Sequence, residues 1–233
     1  MRDLRHENLN PFIGACTDAP NICIITEYCS RGSLRDILEN EDVKLDNMFV
    51  ASLVGDIIRG MIYLHDSPVK YHGKLKTSNC LVDSRWVVKL SDFGLREFKK
   101  DSEEEEEDGN STPKLEGVHS IKFYIKFFFL LTKNLLTFFF VTACLYKSPE
   151  ILRLENLNGE EELGSQKGDV YSFSIILHEL HSRQGPFGNC GLTHAQILQK
   201  VINRDPLQPP FRYELSFSIS LINRSIIIDI FCN

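Results

Sequence analysis

Polar and ionisable residues gather in two segments set between short apolar runs. The first is His72-Gly73-Lys74-Leu75-Lys76-Thr77-Ser78-Asn79, and the second, thirteen residues after Asn79, is Asp92-Phe93-Gly94. Ser148-Pro149-Glu150 and Asp169-Val170-Tyr171-Ser172 follow in order. Short β-like pieces over residues 69–95, separated by polar turns, display functional groups on loops. The chemistry to weigh for such groups is phosphoryl transfer, which needs a carboxylate to orient and deprotonate the acceptor hydroxyl and ligands for magnesium. Zinc chemistry is a poor fit. The seven cysteines Cys16, Cys23, Cys29, Cys80, Cys144, Cys190 and Cys232 contain no CxxC spacing. Most sit in apolar runs and read as buried, reduced thiols. His178 and His181 can share a helix face, but no third ligand is in view.

The elements that must position these groups are legible in outline. Phe12–Cys16 and Ile22–Tyr28 flank a Pro-Asn turn and read as two antiparallel strands. Leu34, Ile37 and Leu38 open a short helix. Residues 46–64 carry apolar side chains at helical spacing over an arc wide enough for a mostly buried helix. Cys80-Leu81-Val82 and Trp86–Leu90 are strand-like. Tyr146–Leu152 is a turn entering a helix, residues 168–181 form an apolar helix begun by Gly168-Asp169, and His194–Ile202 are helical.

The ordered motifs resemble the C-terminal lobe of a protein kinase, over roughly residues 1–119 and 144–212. The closer resemblance is to the kinase homology domain of receptor guanylate cyclases. It rests on Arg5-His6-Glu7-Asn8-Leu9-Asn10-Pro11-Phe12-Ile13-Gly14-Ala15-Cys16, His72-Gly73, Leu75-Lys76-Thr77-Ser78-Asn79-Cys80, Val82-Asp83-Ser84-Arg85 and Leu145-Tyr146-Lys147-Ser148-Pro149-Glu150. The resemblance implies an α+β, protein kinase-like fold, mainly the helical C-lobe with a residual two-strand piece of the N-lobe. It implies a regulatory pseudokinase on the cytoplasmic side of the plasma membrane in a single-pass parent. There it relays receptor signal to a cyclase domain that converts GTP to cGMP and is absent from this chain.

By the same resemblance, Lys74 occupies the position of the catalytic aspartate. A charged ammonium cannot take a proton and repels metal, so no catalytic residue is assigned. Gly73 replaces the arginine that anchors a phosphorylated activation loop. Lys76 matches the phosphate-contacting lysine, Asn79 and Asp92 the magnesium ligands, Thr26 the gatekeeper, and Glu27-Tyr28-Cys29 the hinge. Leu81 joins Thr26, Glu27, Cys29, Lys76 and Asn79 in the nucleotide site. His72, Phe93, Gly94, Pro149, Glu150 and Asp169 are structural motif residues, with Asp169 expected to cap a helix and bond the catalytic-loop backbone. ATP and Mg2+ are the implied cofactors of the parent. Binding in this chain should be weak or absent, because the sequence starts after the Gly-rich loop, strand lysine and helix glutamate. The implied partners are the cyclase domain, a dimerising linker and a second copy of the parent.

Two other readings stand beside this one. In the first, the chain is an active serine/threonine or tyrosine kinase, with Asp83 as the only nearby acid to substitute. In the second, it is a non-catalytic interaction scaffold that uses an acidic loop and the C-lobe surface.

The 233 residues allow one large domain or two small ones. With 42% hydrophobic and 25% charged residues the chain can build a core, which excludes a collagenous, wholly disordered or disulfide-stapled protein. The net charge of −6 is local: residues 101–108 hold seven acids, and the remainder is close to neutral. No chain-wide basic signature for nucleic acid is present. The N-terminus is charged and lacks the apolar core of a signal peptide. The expected organisation is a truncated kinase-like domain over 1–212, with an acidic mobile loop at 99–119, a Phe-rich insertion at 120–143 and a non-domain tail at 213–233. Seven of the 16 Phe lie between Phe123 and Phe140. Lys133-Asn134 sit mid-stretch, and a single crossing would put the two halves of one lobe on opposite sides, so the stretch is not a membrane span. Its composition, like the tail's, resembles translated intron, and the competing reading is a genuine lineage-specific insertion; transcripts that join exons without it would support the first.

Overall fold

The computed structural model describes residues 4–16, 23–94, 141–158 and 164–203. The acidic loop, residues 120–140 and everything after Asn203 lie outside the described residues, as does Cys232.

The β-branched runs pair as expected. β1 (Phe12–Cys16) lies antiparallel to β2 (Cys23–Thr26). The register shifts between Phe12 and Gly14, which leaves Ile13 out of the pairing and 62% exposed; a one-residue irregularity of this kind bends the strand. α1 (Leu34–Glu39) starts at a capping box, in which the Asp36 N–H donates to the Ser33 hydroxyl and the Ser33 N–H to the Asp36 carboxylate. α2 (Asn47–Asp66) is capped by Asp46, which accepts the Phe49 N–H at 2.7 Å. It stops at Ser67, before Pro68.

A 3-10 turn (Thr77–Asn79) leads into the hairpin β3 (Cys80–Val82) and β4 (Val88–Leu90). Then come α3 (Pro149–Asn158), α4 (Gln166–Ser182) and α5 (His194–Asn203). The class is α+β, with two small antiparallel sheets and these five α-helices among the described residues, and residues 141–144 are helical as well.

The core forms where α2 meets β4 and α4. Leu34, Leu53, Ile57, Leu64, Leu75, Leu90, Leu145 and Ile176 are fully buried there. Gly60 permits the approach: a Cβ on it would lie 2.8 Å from the Asn8 carbonyl and 2.9 Å from Leu90 Cδ1. Asp56 from the same helix accepts the Val88 N–H at 2.8 Å and pairs with Arg59. Burial pushes the Asp56 carboxyl above its usual range despite these partners. α2 passes the length and composition test for a membrane span, yet one of its faces is packed into this core.

Three sequence expectations need correction. α2 is buried on one face only, since its first turn points outward and Met48 is 81% exposed. α4 begins at Gln166, two residues earlier than expected, because the Ser165 hydroxyl accepts the Gly168 N–H and so caps it; Asp169 is not the cap. The cysteines do not behave alike: Cys29, Cys80 and Cys144 are buried, whereas Cys23 and Cys190 are exposed and Cys16 is half-covered.

Candidate functional site

The loop from His72 to Asn79 is held from below by one carboxylate. Asp169 sits near the start of α4 and is 1% exposed. Its Oδ2 accepts the His72 N–H at 2.6 Å, its Oδ1 accepts the Gly73 N–H at 2.8 Å, and His65 Nε2 lies 2.9 Å from Oδ2. Three donors on one buried carboxylate fix the loop to the helix. The expected loop-bonding role of Asp169 is therefore present, without the helix-capping one.

Gly73 adopts φ +76, the left-handed region that suits glycine. The backbone of Gly164 packs against it so closely that a Cβ on Gly164 would lie 2.6 Å from the Gly73 Cα.

His72 is buried, with its ring edge toward Phe93 at a centroid distance of 6.2 Å. Its Nδ1 accepts the Lys74 N–H at 3.3 Å. Burial lowers the pKa of the ring, against the opposing charges of Asp169 and Asp92. The ring packs in the core with its edge toward Phe93.

Asn79 closes the loop from the other end. Its Nδ2 donates to the Lys74 carbonyl at 2.8 Å, and its side-chain oxygen takes no part in that bond. The Ser91 N–H and hydroxyl both donate to the Asn79 carbonyl, at 2.9 and 3.1 Å. Ser91 thereby couples the Asn79 turn to Asp92-Phe93-Gly94. Asp92 is exposed, with φ +63, whereas Phe93 is buried and Gly94 has φ +67. Lys76 precedes the 3-10 turn in an extended conformation. The structure brings His72, Lys74, Asn79, Asp92 and Phe93 onto one connected set of loops.

Glu27 attaches to the β3–β4 hairpin through Lys89. Leu81 pairs with Lys89 in the ladder, and the buried Lys89 ammonium lies 3.0 Å from the Glu27 carboxylate. Thr26 Oγ1 accepts from Asn10 at 3.1 Å. Cys29 is buried and Tyr28 is 84% exposed. The Glu27 side chain is thus engaged by Lys89. Pro149 and Glu150 open α3, where Glu150 faces solvent in the first turn.

Asp83 is removed from the loop. Its Oδ1 accepts the Arg85 and Val87 N–H groups at 2.8 and 3.0 Å, and its Oδ2 faces the Arg85 guanidinium at 3.2 Å. Burial alone would raise its pKa. The Val87 and Arg85 donors outweigh that and hold it below the usual range. It is a turn-forming acid of the hairpin.

The sequence reading missed a buried polar cluster beside the loop. Tyr146 OH donates to Glu179 Oε1 at 2.5 Å and lies 2.9 Å from Thr77 Oγ1, while Thr77 also reaches Glu179 Oε2 at 3.4 Å. Burial pushes the Glu179 carboxyl up to about 7, against the hydrogen bonds from Tyr146 and Thr77. Burial and then the Glu179 charge raise the Tyr146 phenol. The signal was available: Glu179 follows Ile175 and Ile176 at helical spacing, on the face α4 turns inward. Arg183 was missed as well; its guanidinium donates to the carbonyls of Ile37, Leu38, Asn40 and Val43 at the end of α1. Among the described residues no group of three or more His, Cys, Asp or Glu is arranged to hold a metal, so His178 and His181 have no third ligand there.

The profile of the family described as protein tyrosine and serine/threonine kinase matches residues 1–119, and the chain belongs to that family. It is 44% identical over 212 residues to the Resact receptor of Arbacia punctulata, covering 91% of this chain and 18% of that protein. It is 45% identical over 208 residues to Guanylate cyclase 32E of Drosophila melanogaster, covering 89% and 15%. To Atrial natriuretic peptide receptor 2 of Homo sapiens it is 44% identical over 214 residues, covering 91% and 17%. Within the kinase family it is a kinase-like domain of the receptor guanylate cyclase type. The chain spans less than a fifth of the length of these relatives.

Proposed function

We propose that this chain is the regulatory pseudokinase region of a receptor guanylate cyclase. Lys74 carries the reading: it stands in the loop where the fold requires a proton acceptor, and the segment His72–Asn79 contains no carboxylate. A charged ammonium has no lone pair with which to take the hydroxyl proton. Asp83, the acid an active kinase would have to use, is spent on the β3–β4 turn.

The residues present fit a nucleotide-bound magnesium. One carboxylate (Asp92) and one amide oxygen (Asn79) are a hard-oxygen donor pair, and magnesium takes its other ligands from phosphates and water. Asp92 and Asn79 would hold the ion and Lys76 would contact phosphate. Thr26, Glu27, Cys29 and Leu81 would border the base, chiefly through backbone groups. When bound, Mg–ATP would supply charge neutralisation at the phosphates. The protein's role is to bind and orient. Asp169 and Asn79 fix the loop, and Ser91 couples it to Asp92, so occupancy would bias one loop arrangement over another.

In the parent, that bias would pass through a dimerising linker to a cyclase domain on the cytoplasmic side of the membrane. The scaffold reading rests on residues 101–108, which lie outside the described residues. Residues 120–143 and 213–233 are, on this account, not part of the evolved domain.

The test uses the full-length receptor that carries this domain. A non-hydrolysable ATP analogue should change cGMP output to the same extent as ATP. A response that requires a hydrolysable γ-phosphate would overturn binding without turnover.

A further inference from the structure

Cys16 and Cys23 are directly opposite each other in the β1–β2 ladder. Opposed residues of an antiparallel pair project from the same face with Cβ atoms about 4.5–5.5 Å apart. Their Cα atoms lie about 4.5–5.5 Å apart, within the span of about 4.4–6.8 Å that a disulfide takes, and closing the bridge draws the Cβ atoms in to about 3.5–4.5 Å. Gly14, two residues along the same face, leaves room for the sulfur atoms to settle: nothing lies within 4 Å of where its Cβ would be. Both thiols are unbridged, Cys23 exposed and Cys16 half-covered.

The other described cysteines lack this combination. Burial raises the thiol pKa of Cys29 and Cys80 and keeps both in the unreactive protonated form. Cys144 is buried too, and Cys190 is exposed but has no strand register to set a second cysteine opposite it.

We propose that Cys16 and Cys23 form a reversible redox-modification site, which a small-molecule disulfide of the glutathione class converts to a cross-strand bridge. The more exposed Cys23, as thiolate, attacks one sulfur of the oxidant. The oxidant's S–S bond breaks, one small thiol leaves, and a mixed disulfide remains on Cys23. Cys16 then gives up its proton and attacks the Cys23 sulfur, expelling the second small thiol. Two protein thiols are oxidised and one small disulfide is reduced to two thiols, which carry away the two protons. Excess thiol reverses the sequence. The bridge cyclises the eight residues from Cys16 to Cys23 and locks the strand that runs directly into Thr26 and Glu27. A reducing compartment keeps the pair open, so the site reports a shift in glutathione poise.

The test takes the intact 233-residue chain, reduces it, exposes it to oxidised glutathione, alkylates it and digests it without reductant, using a protease that cuts before Asp18 and so between the two cysteines. The expected product is a linked pair of peptides joined through Cys16 and Cys23, with the loss of two alkylatable thiols, restored by dithiothreitol. Cys16→Ser should trap glutathione on Cys23, and Cys190→Ser should leave the linkage unchanged. The same oxidation in concentrated urea, where the register is lost, should give several-fold less of the linked product, a comparison that needs no variant to fold. Alkylation of both Cys16 and Cys23 after oxidation, a dominant bridge to Cys190 or to a second chain, or equal yield in urea would each overturn the proposal.

Discussion

The Tyr146 hydroxyl donates to the Glu179 carboxylate across 2.5 Å inside the core, between the segment that enters α3 and the last turn of α4. Thr77 of the loop completes the contact, so one buried acid ties together three segments of the fold. Its pKa is raised from 4.5 to about 7, burial being the main cause. Arg35 and Glu39 of α1 act on it from a distance with opposite signs, and Cys80 lies within its field. A raised carboxyl pKa means that the native state holds its proton longer than the unfolded chain does. Stability therefore falls as pH rises from 4.5 to about 7, by about 3 kcal/mol at most, and levels off above that. Glu179→Gln should remove this fall while keeping the hydrogen bond from Tyr146. The difference between native and variant in urea midpoints at pH 5 and pH 8 measures it. An unchanged difference across that range would mean that Glu179 is ionised throughout. His72 slopes the other way, since its pKa is lowered; it is present in both proteins and cancels in the comparison.

Asp169→Ala should cost more than an ordinary surface change. It strips an acceptor from the His72 and Gly73 N–H groups and from His65 at once. Leaving buried donors unmet costs about 1–3 kcal/mol each, so a loss of about 3 kcal/mol is expected. Amide exchange at His72 and Gly73 should speed up together, ahead of the α2 core. A variant whose loop amides exchange at the native rate would show that the loop is held by something else.

Gly164→Ala tests the closeness of the two glycines. The added Cβ would meet the Gly73 Cα at 2.6 Å. Backbone has little freedom to yield, so a destabilisation of about 1–3 kcal/mol is expected, read as a drop in thermal midpoint. Gly14→Ala, where the new methyl meets nothing within 4 Å, is the matched control.

Most of the architecture was legible because hydrophobic period and turn chemistry are local. The 3.6-residue spacing gave α2, and β-branched runs around Pro20-Asn21 gave β1 and β2. Ser33 and Asp46 act as caps through groups a few residues away. What escaped was non-local. Whether Met48 or Leu53 faces the core depends on where β4 lies, and the Glu179 cluster joins residues 33 and 102 positions apart. Ser165 rather than Asp169 caps α4 because Asp169 is claimed by a loop 96 and 97 residues away, a demand that no local pattern encodes. The loop itself was readable from motif order. Its wiring, with Asn79 bonded to the Lys74 carbonyl and Ser91 bonded to Asn79, was not.

The positive charge at Lys74 can be tested directly. The kinase-like lobe of the full-length receptor is incubated with radiolabelled γ-phosphate ATP, magnesium and peptides bearing serine, threonine or tyrosine, as the native protein and as Lys74→Asp. No transfer to peptide or to the protein's own hydroxyls is expected from the native lobe, with any gain confined to the variant. Transfer by the native lobe, above all if Lys74→Asp is inert, would contradict the pseudokinase reading.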